Sequence, residues 1–276
     1  PSLHMINFSL KSYQVIFLSS LNRLTTMTKR AIVMGATSGI GREVALQLAS
    51  KGYAVGIAGR REERLAELEA TVPGIVAHRQ IDVTCDNAPS QLLGLIAELG
   101  GMDVYFHSSG IGWENVELDA DKEIKTTATN AMGFVRMVTA AFNWFAEHDG
   151  EARAKGEKAR IACITSIART RGLGAAPAYS ATKRMQSHYL ECLAQLARMR
   201  RLHIAVTDIR PGFVATDLIA GSNFPLQLKA GRVAKDIVGA MERGREVVTV
   251  DWRYRLLTLV WRMVPRCVWI RLRGIE

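Results

Sequence analysis

A chain of 276 residues with 48% hydrophobic and 22% charged side chains can bury one sizeable core, and it has neither the polar bias of a disordered chain nor the apolar excess of a membrane bundle. The net charge of +10 sits at the two ends: residues 1–30 carry four basic groups and no acid, residues 252–276 carry six arginines against Glu276, and the body between them is left at +1. A near-neutral body without a groove-reading motif argues against nucleic acid as a partner.

Residues 1–28 hold only a short apolar run at 13–18, with neither a cleavage site nor a membrane span; Met27-Thr28-Lys29-Arg30 reads as a start, and the extension before it is assigned no function. The run 31–34 predicts a strand, followed by a glycine-rich turn and a helix over 40–51 with Val44, Ala45, Leu48 and Ala49 on one face. Further strands are expected at 53–58, 75–81, 103–107, 161–165, 204–209 and 246–250. Helices are expected over 61–71, 87–99, 121–148, 179–199 and 233–243. The stretch 149–160, charged and without apolar period, predicts an exposed loop. Strands that alternate with helices imply one doubly wound, Rossmann-type α/β domain over 29–250, a parallel sheet with helices on both faces. Cys85, Cys163, Cys192 and Cys267 form no C-x-x-C pair and have no histidine at ligand spacing. No metal site or disulfide framework is expected, and small apolar filler in a reduced, cytoplasmic compartment is the simplest reading.

Gly35-Ala36-Thr37-Ser38-Gly39-Ile40-Gly41 lies where the first strand hands over to a helix. There glycines let the backbone approach a pyrophosphate, and the helix N-terminus offers free amides and a positive dipole end. Its G-x-x-x-G-x-G spacing resembles the glycine motif of the short-chain dehydrogenase/reductase family, with Met34 where threonine is usual. The second strand ends in Ala58-Gly59-Arg60-Arg61. No acid is present there to bind ribose hydroxyls, and the Arg60 guanidinium can pair with a 2′-phosphate, so NADP(H) is preferred and NAD(H) remains open. By resemblance Asp82 and Val83 would contact adenine, although Asp82 fits a helix N-cap equally well. His107-Ser108-Ser109-Gly110 takes the place of the family's Asn-Asn-Ala-Gly, which puts Ser109 and Gly110 beside the cofactor. Pro211-Gly212-Phe213-Val214-Ala215-Thr216 matches the loop that touches the nicotinamide carboxamide, or is a plain Pro-Gly turn.

Tyr179 and Lys183 stand at i and i+4, neighbours on one helical face, where an ammonium can lower the pKa of a phenol from near ~10. Ser166, thirteen residues before Tyr179 and just past a strand, matches the family's serine, and Asn130 resembles the asparagine that holds a water in a proton relay. The resemblance makes Tyr179 the general acid or base, Lys183 its activator and ribose ligand, Ser166 the substrate hydrogen-bond partner and Asn130 the relay residue. It also implies a homodimer through the helices at 121–148 and 179–199.

Leu218, Ile219, Phe224, Leu226 and Leu228 fall in the family's variable lid and suit an apolar or amphipathic carbonyl or alcohol. After 250 the chain continues as a basic tail, 251–276, with Arg255, Arg262, Arg266 and Arg273 in one helical stripe, tryptophans elsewhere and a kink expected at Pro265. The tail suits either a peripheral membrane surface or an apolar patch on its own or a neighbouring subunit. A rival reading of the whole chain is a catalytically silent NADP(H)-binding protein that docks through this tail.

Overall fold

The computed structural model describes residues 28–217 and 226–272. Strand β1 (Arg30–Met34), helix α1 (Gly39–Ser50), β2 (Ala54–Gly59), α2 (Glu62–Thr71), β3 (Ile75–Gln80), α3 (Ala88–Glu98) and β4 (Val104–His107) follow in alternation. Next come α4 (Ala120–Thr127), a π-helical turn (Ala128–Gly133), α5 (Phe134–Glu147), α6 (Asp149–Ala154), β5 (Ala159–Ile164) and a 3₁₀ turn (Ile167–Thr170). The chain then runs through α7 (Pro177–Met199), β6 (Ile204–Arg210), β7 (Val214–Ala215), β8 (Leu228–Lys229), α8 (Ala230–Glu242), β9 (Val247–Thr249), α9 (Trp252–Met263) and α10 (Arg266–Trp269).

Seven strands pair in parallel in the order β3-β2-β1-β4-β5-β6-β9, the doubly wound sheet that the alternation predicts. Both faces are covered. Ala31 and Val33 of β1 join a core built with α1, α2 and α8, whereas Ile32 and Met34 join a second core built with α3, α5 and α7. A strand buried on both sides reads as a continuous apolar run, which is why β1 is visible in sequence without any polar alternation. In α5, Phe134, Met137, Val138, Ala141, Phe142 and Phe145 recur at helical spacing and are all buried.

Three expectations need correction. The helix expected over 121–148 is broken at Ala128–Gly133 by a π turn, which places one residue more in the turn than an α-helix does. The stretch 149–160 begins as a short helix rather than a loop, because Asp149 is buried and accepts the His203 amide and the Arg153 guanidinium. Of the cysteines, only Cys163 is buried; Cys85, Cys192 and Cys267 are exposed, so filler describes one of them.

The tail is packed on the body by one face. Tyr254 is buried, its hydroxyl donating to the Leu226 carbonyl at 3.0 Å and accepting the Phe213 amide at 3.1 Å. Arg171 donates to the carbonyls of Trp261, Arg262 and Val264 at the end of α9, and Trp269 Nε1 donates to Gly172 at 2.8 Å. Pro265 therefore follows the end of one helix and precedes another, rather than kinking a continuous one. The outer face leaves Trp252, Leu256, Leu259, Val260 and Met263 exposed, Met263 at 75%.

Candidate active site

The strand order reverses between β1 and β4, and the crevice outside their carboxyl ends is where this topology holds ligands. After β1 the chain turns at Gly35, φ +87°, whose amide donates to the Ala58 carbonyl at 2.8 Å. A Cβ on Gly35 would lie 2.7 Å from the Ser109 nitrogen, and one on Gly41 would overlap the Gly35 carbonyl. The turn, the Ser108–Ser109 loop and the start of α1 thus approach as closely as only glycine permits. Ser108 fits this crowding, its amide pinned to the Met34 carbonyl at 2.8 Å and its Cβ only 3.1 Å from where a side chain at Gly41 would begin. Gly39, φ +55°, opens α1 facing the Thr216 methyl, and Ile40 packs against the first core. Ser38 precedes α1 without capping it by its side chain, so the first amides of the helix are free for a ligand. Free amides, a helix dipole and a floor bare of side chains fit the pyrophosphate of a dinucleotide.

Arg61 lies over this turn. Its Nε and Nη2 donate to Thr37 Oγ1 at 3.0 and 2.8 Å, its Nη2 also to Ser38 Oγ at 2.6 Å, and its Nη1 reaches Asp217 at 3.3 Å. Arg60 has an exposed side chain, and its carbonyl accepts Gln80 Nε2 at 2.9 Å. The guanidinium already held against the turn is therefore that of the second arginine. Asp82 Oδ1 accepts the Thr84 amide and hydroxyl at 2.9 and 2.7 Å, which makes it the staple of a turn rather than the cap of α3. Val83 is buried against Gly133, where a Cβ would lie 2.7 Å from its methyl.

The π turn presents Asn130, fully buried, to the loop after β4. Its Oδ1 accepts the Ile111 amide at 2.9 Å and its Nδ2 donates to the Ile111 carbonyl at 2.7 Å, a two-pronged grip on the main chain. Lys183 Nζ donates to the Ile164 carbonyl and to Gln186 Oε1, both at 3.1 Å, and lies 5.7 Å from the centre of the Tyr179 ring. Gln186 Nε2 in turn donates to the Asn130 carbonyl at 2.7 Å. A Cβ on Gly110 would lie 3.3 Å from Asn130 Oδ1 and 3.4 Å from Lys183 Nζ, so the loop closes over both. Gly112 backs the Tyr179 ring, where a Cβ would overlap Cδ2 and lie 3.0 Å from Cε2.

Ser166 caps the 3₁₀ turn through the Ala168 amide, and its hydroxyl lies close enough to the Tyr179 phenol to favour the ionised form. Burial raises the phenol pKa, and Ser166 offsets only part of that rise. Burial also brings the Lys183 ammonium down to about 8, although Cys163 and Asp208 pull it the other way. Burial sets the Tyr179 pKa above its ordinary value, in place of the lowering expected from Lys183, and the phenol keeps its proton at neutral pH. Of the remaining predicted residues, the Pro211 carbonyl accepts the Ile167 amide at 3.0 Å, Gly212 lies under the Tyr254 ring and Val214 is buried in the first core.

Asn130, Ser166, Tyr179 and Lys183 therefore meet at one end of the sheet. Sequence reasoning missed Gln186, although its i+3 offset from Lys183 on one helical face was a signal, and it missed Gly112, which only the ring packed on it reveals. In the lid, Leu218, Ile219 and Phe224 lie outside the described residues, Leu226 is exposed, and Leu228 pairs with Val214 inside the first core. Among the described residues no group of three His, Cys, Asp or Glu side chains stands where it could hold a metal.

The sequence profile of short chain dehydrogenases matches residues 29–224. An uncharacterized oxidoreductase of Myxococcus xanthus is 31% identical over 86% of this chain and 93% of its own length. A dehydrogenase/reductase SDR family member 7B of Bos taurus is 28% identical over 83% of this chain and 76% of its own. Among solved structures, an actinorhodin polyketide ketoreductase with NADPH superposes with a TM-score of 0.67 at 24% identity, over 81% of this chain and 95% of that one. A 3-ketoacyl-(acyl-carrier-protein) reductase from Brucella melitensis complexed with NADH gives 0.69 at 21% identity, over 81% and 96%.

Proposed function

The chain belongs to the short chain dehydrogenase family of oxidoreductases, and from that premise we propose that it interconverts a carbonyl and an alcohol on an apolar or amphipathic small molecule with NADP(H). The observation that carries the reading is the Lys183 ammonium 5.7 Å from the centre of the Tyr179 ring, with the Ser166 hydroxyl close enough to the phenol to pull its pKa down. When bound, the nicotinamide supplies or accepts the hydride. Ser166 then turns its hydroxyl to the substrate oxygen, and Tyr179, whose burial keeps it protonated, gives its proton to the oxygen of a carbonyl. In the oxidative direction the phenol must first lose its proton, an ionised state that the Lys183 charge favours, and the phenolate oxygen then takes the alcohol proton. Asn130 fixes the 110–112 loop, and through the Gln186 carboxamide its carbonyl helps to hold Lys183 in place.

Tyr179→Phe removes the proton and leaves the phosphate contacts, so turnover of lipophilic ketones and aldehydes, followed by NADPH absorbance, should vanish while NADPH still binds. A variant that keeps most of its rate refutes the assignment, and a wild type that binds NADPH but turns over nothing in the panel supports the silent-binder reading. Arg61, held against the Thr37–Ser38 turn, and the exposed Arg60 that precedes it support NADP(H) over NAD(H). Paired titrations test this, and tighter binding of NADH overturns it.

The outer face of α9 supports peripheral attachment to a membrane; no helix of the described residues is long and apolar enough to cross one. Deleting 252–276 would also pull Tyr254 out of the body, so the better test is vesicle flotation of Leu259→Asp/Met263→Asp against the parent. Exposed Ile124, Met132, Met185, Leu196 and Met199 support pairing of two chains through the π-turn and α7 side, which light scattering reads directly.

A further inference from the structure

Beside the Ser166 turn, a cavity of about 330 Å³ is lined by Arg169, Thr170, Arg171, Arg184 and Arg262. Its four guanidiniums come from the 3₁₀ turn, the residue after it, α7 and α9, and none of them pairs with a carboxylate among the described residues. The acid that acts on Arg169 is Asp208, and that carboxylate is already engaged by Thr165, Ser187 and Arg210. Arg169 Nε is enclosed with no hydrogen-bond partner. Burial holds the Arg169 guanidinium below its usual basicity; Arg210 adds to this, Asp208 opposes it, and Arg262 and Arg184 lower it further. Arg184 makes only long contacts, 3.4 and 3.5 Å, to the carbonyls of Arg169 and Thr170. Arg171 is committed on one edge to the end of α9 and stacks 5.7 Å from the centre of Trp269, which fixes the outer wall.

Clustered cations that fold together without a counter-charge repel one another, and an anion relieves that repulsion. Guanidinium forks suit the tetrahedral oxygens of a phosphate, which can accept from several directions at once. We propose that this cavity binds the phosphate group of a ligand, with Arg169, Arg184 and Arg262 donating to its oxygens and Arg171 bracing the wall. The site goes beyond the oxidoreductase reading and does not depend on it. Its volume leaves room for what the phosphate is attached to, and the exposed Leu259, Val260 and Met263 share α9 with Arg262. The phosphate can therefore come from a lipid headgroup or from a soluble molecule.

The test uses the full chain and inorganic phosphate at constant ionic strength, read by the fluorescence of Trp269, which faces Arg171, and of Trp261 packed against it. Saturable binding is expected in the parent, with affinity lost by about 10-fold or more in Arg184→Gln/Arg262→Gln at unchanged circular dichroism. Arg184→Lys/Arg262→Lys, which keeps the charge, should retain part of it. Flotation with phosphatidylcholine vesicles, with and without phosphatidic acid, separates the sources. Binding that needs phosphatidic acid and is lost in the Gln variant assigns the phosphate to a headgroup, whereas unchanged flotation beside a lost phosphate titration assigns it to a soluble ligand. A parent that responds to phosphate no more than to chloride overturns the proposal, as does a Gln variant that titrates like the parent. NADPH affinity that falls in step with phosphate affinity would make these arginines part of the nucleotide crevice and overturn a separate site.

Discussion

His107 ends β4 fully buried, with Nδ1 2.9 Å from the Tyr105 hydroxyl and Nε2 without a partner, and its ring meets Phe134 edge-on at 5.2 Å. Burial, and next the Lys183 charge, lower its pKa to about 3 against a slight opposing pull from the Ser109 main chain. The folded value lies below the unfolded 6.5, so folding accepts the neutral ring and stability is complete above about pH 6.5. It is lost progressively as pH falls toward 3, because the unfolded chain takes up a proton that the folded chain refuses. At about 1.36 kcal/mol per unit, a drop to about pH 4.5 removes roughly 2.7 kcal/mol, and the whole window removes close to about 5. His107→Asn keeps a polar side chain and abolishes this titration. Its lost contact with Tyr105 weakens the fold alike at both pH values and cancels in the comparison. Urea unfolding of both proteins at about pH 7 and about pH 4.5 should show the parent losing roughly 2–3 kcal/mol more than the variant. Equal losses in the two proteins would show that His107 is not held neutral by its surroundings.

Gln186→Leu removes an acceptor from Lys183 and a donor from the Asn130 carbonyl, both buried, and should lower kcat by about 10–100-fold while NADPH affinity barely moves; a normal kcat would reduce Gln186 to packing. Gly112→Ala drives a methyl into the Tyr179 ring, so the rate should fall by about 100-fold, whereas Gly172→Ala, where a Cβ meets nothing, should be silent in the same assay. For Lys183, the folded pKa of about 8 lies below the ordinary 10.5, so the cost of burying the ammonium is fully present below about pH 8 and is relieved as pH rises toward 10.5. The parent should accordingly gain up to about 3 kcal/mol relative to Lys183→Met between about pH 7.5 and 10.5 in urea titrations; parallel curves would contradict the depressed value.

Most of the sheet was legible because strands buried on both faces appear as apolar runs and the helices between them keep a helical period, as α5 does. The π turn was not, since one extra residue leaves the apolar spacing before and after it intact. Asp149 misled in the other direction: its charge suggested solvent, and only the His203 amide and Arg153 explain its burial. At the site, Asn130, Ser166, Tyr179 and Lys183 were visible as types at intervals. The grip of Arg61 rather than Arg60 on the turn depends on which way each side chain leaves the end of β2, which spacing does not encode. The arginine stripe of the tail drew attention to its outer face, while Tyr254, an ordinary aromatic in sequence, anchors the inner one.

The π turn also sets what a one-residue deletion within 128–133 would do. A shortened segment could settle into continuous α-helix with better-formed backbone bonds, and α5 would keep its seat in the second core. The carboxamide of position 130 would then swing by about a quarter of a helical revolution, away from Ile111. Such a shortened protein would lose the Asn130 grip on the loop after β4, so the irregularity at Ala128–Gly133 gives up regular backbone geometry to aim one buried carboxamide.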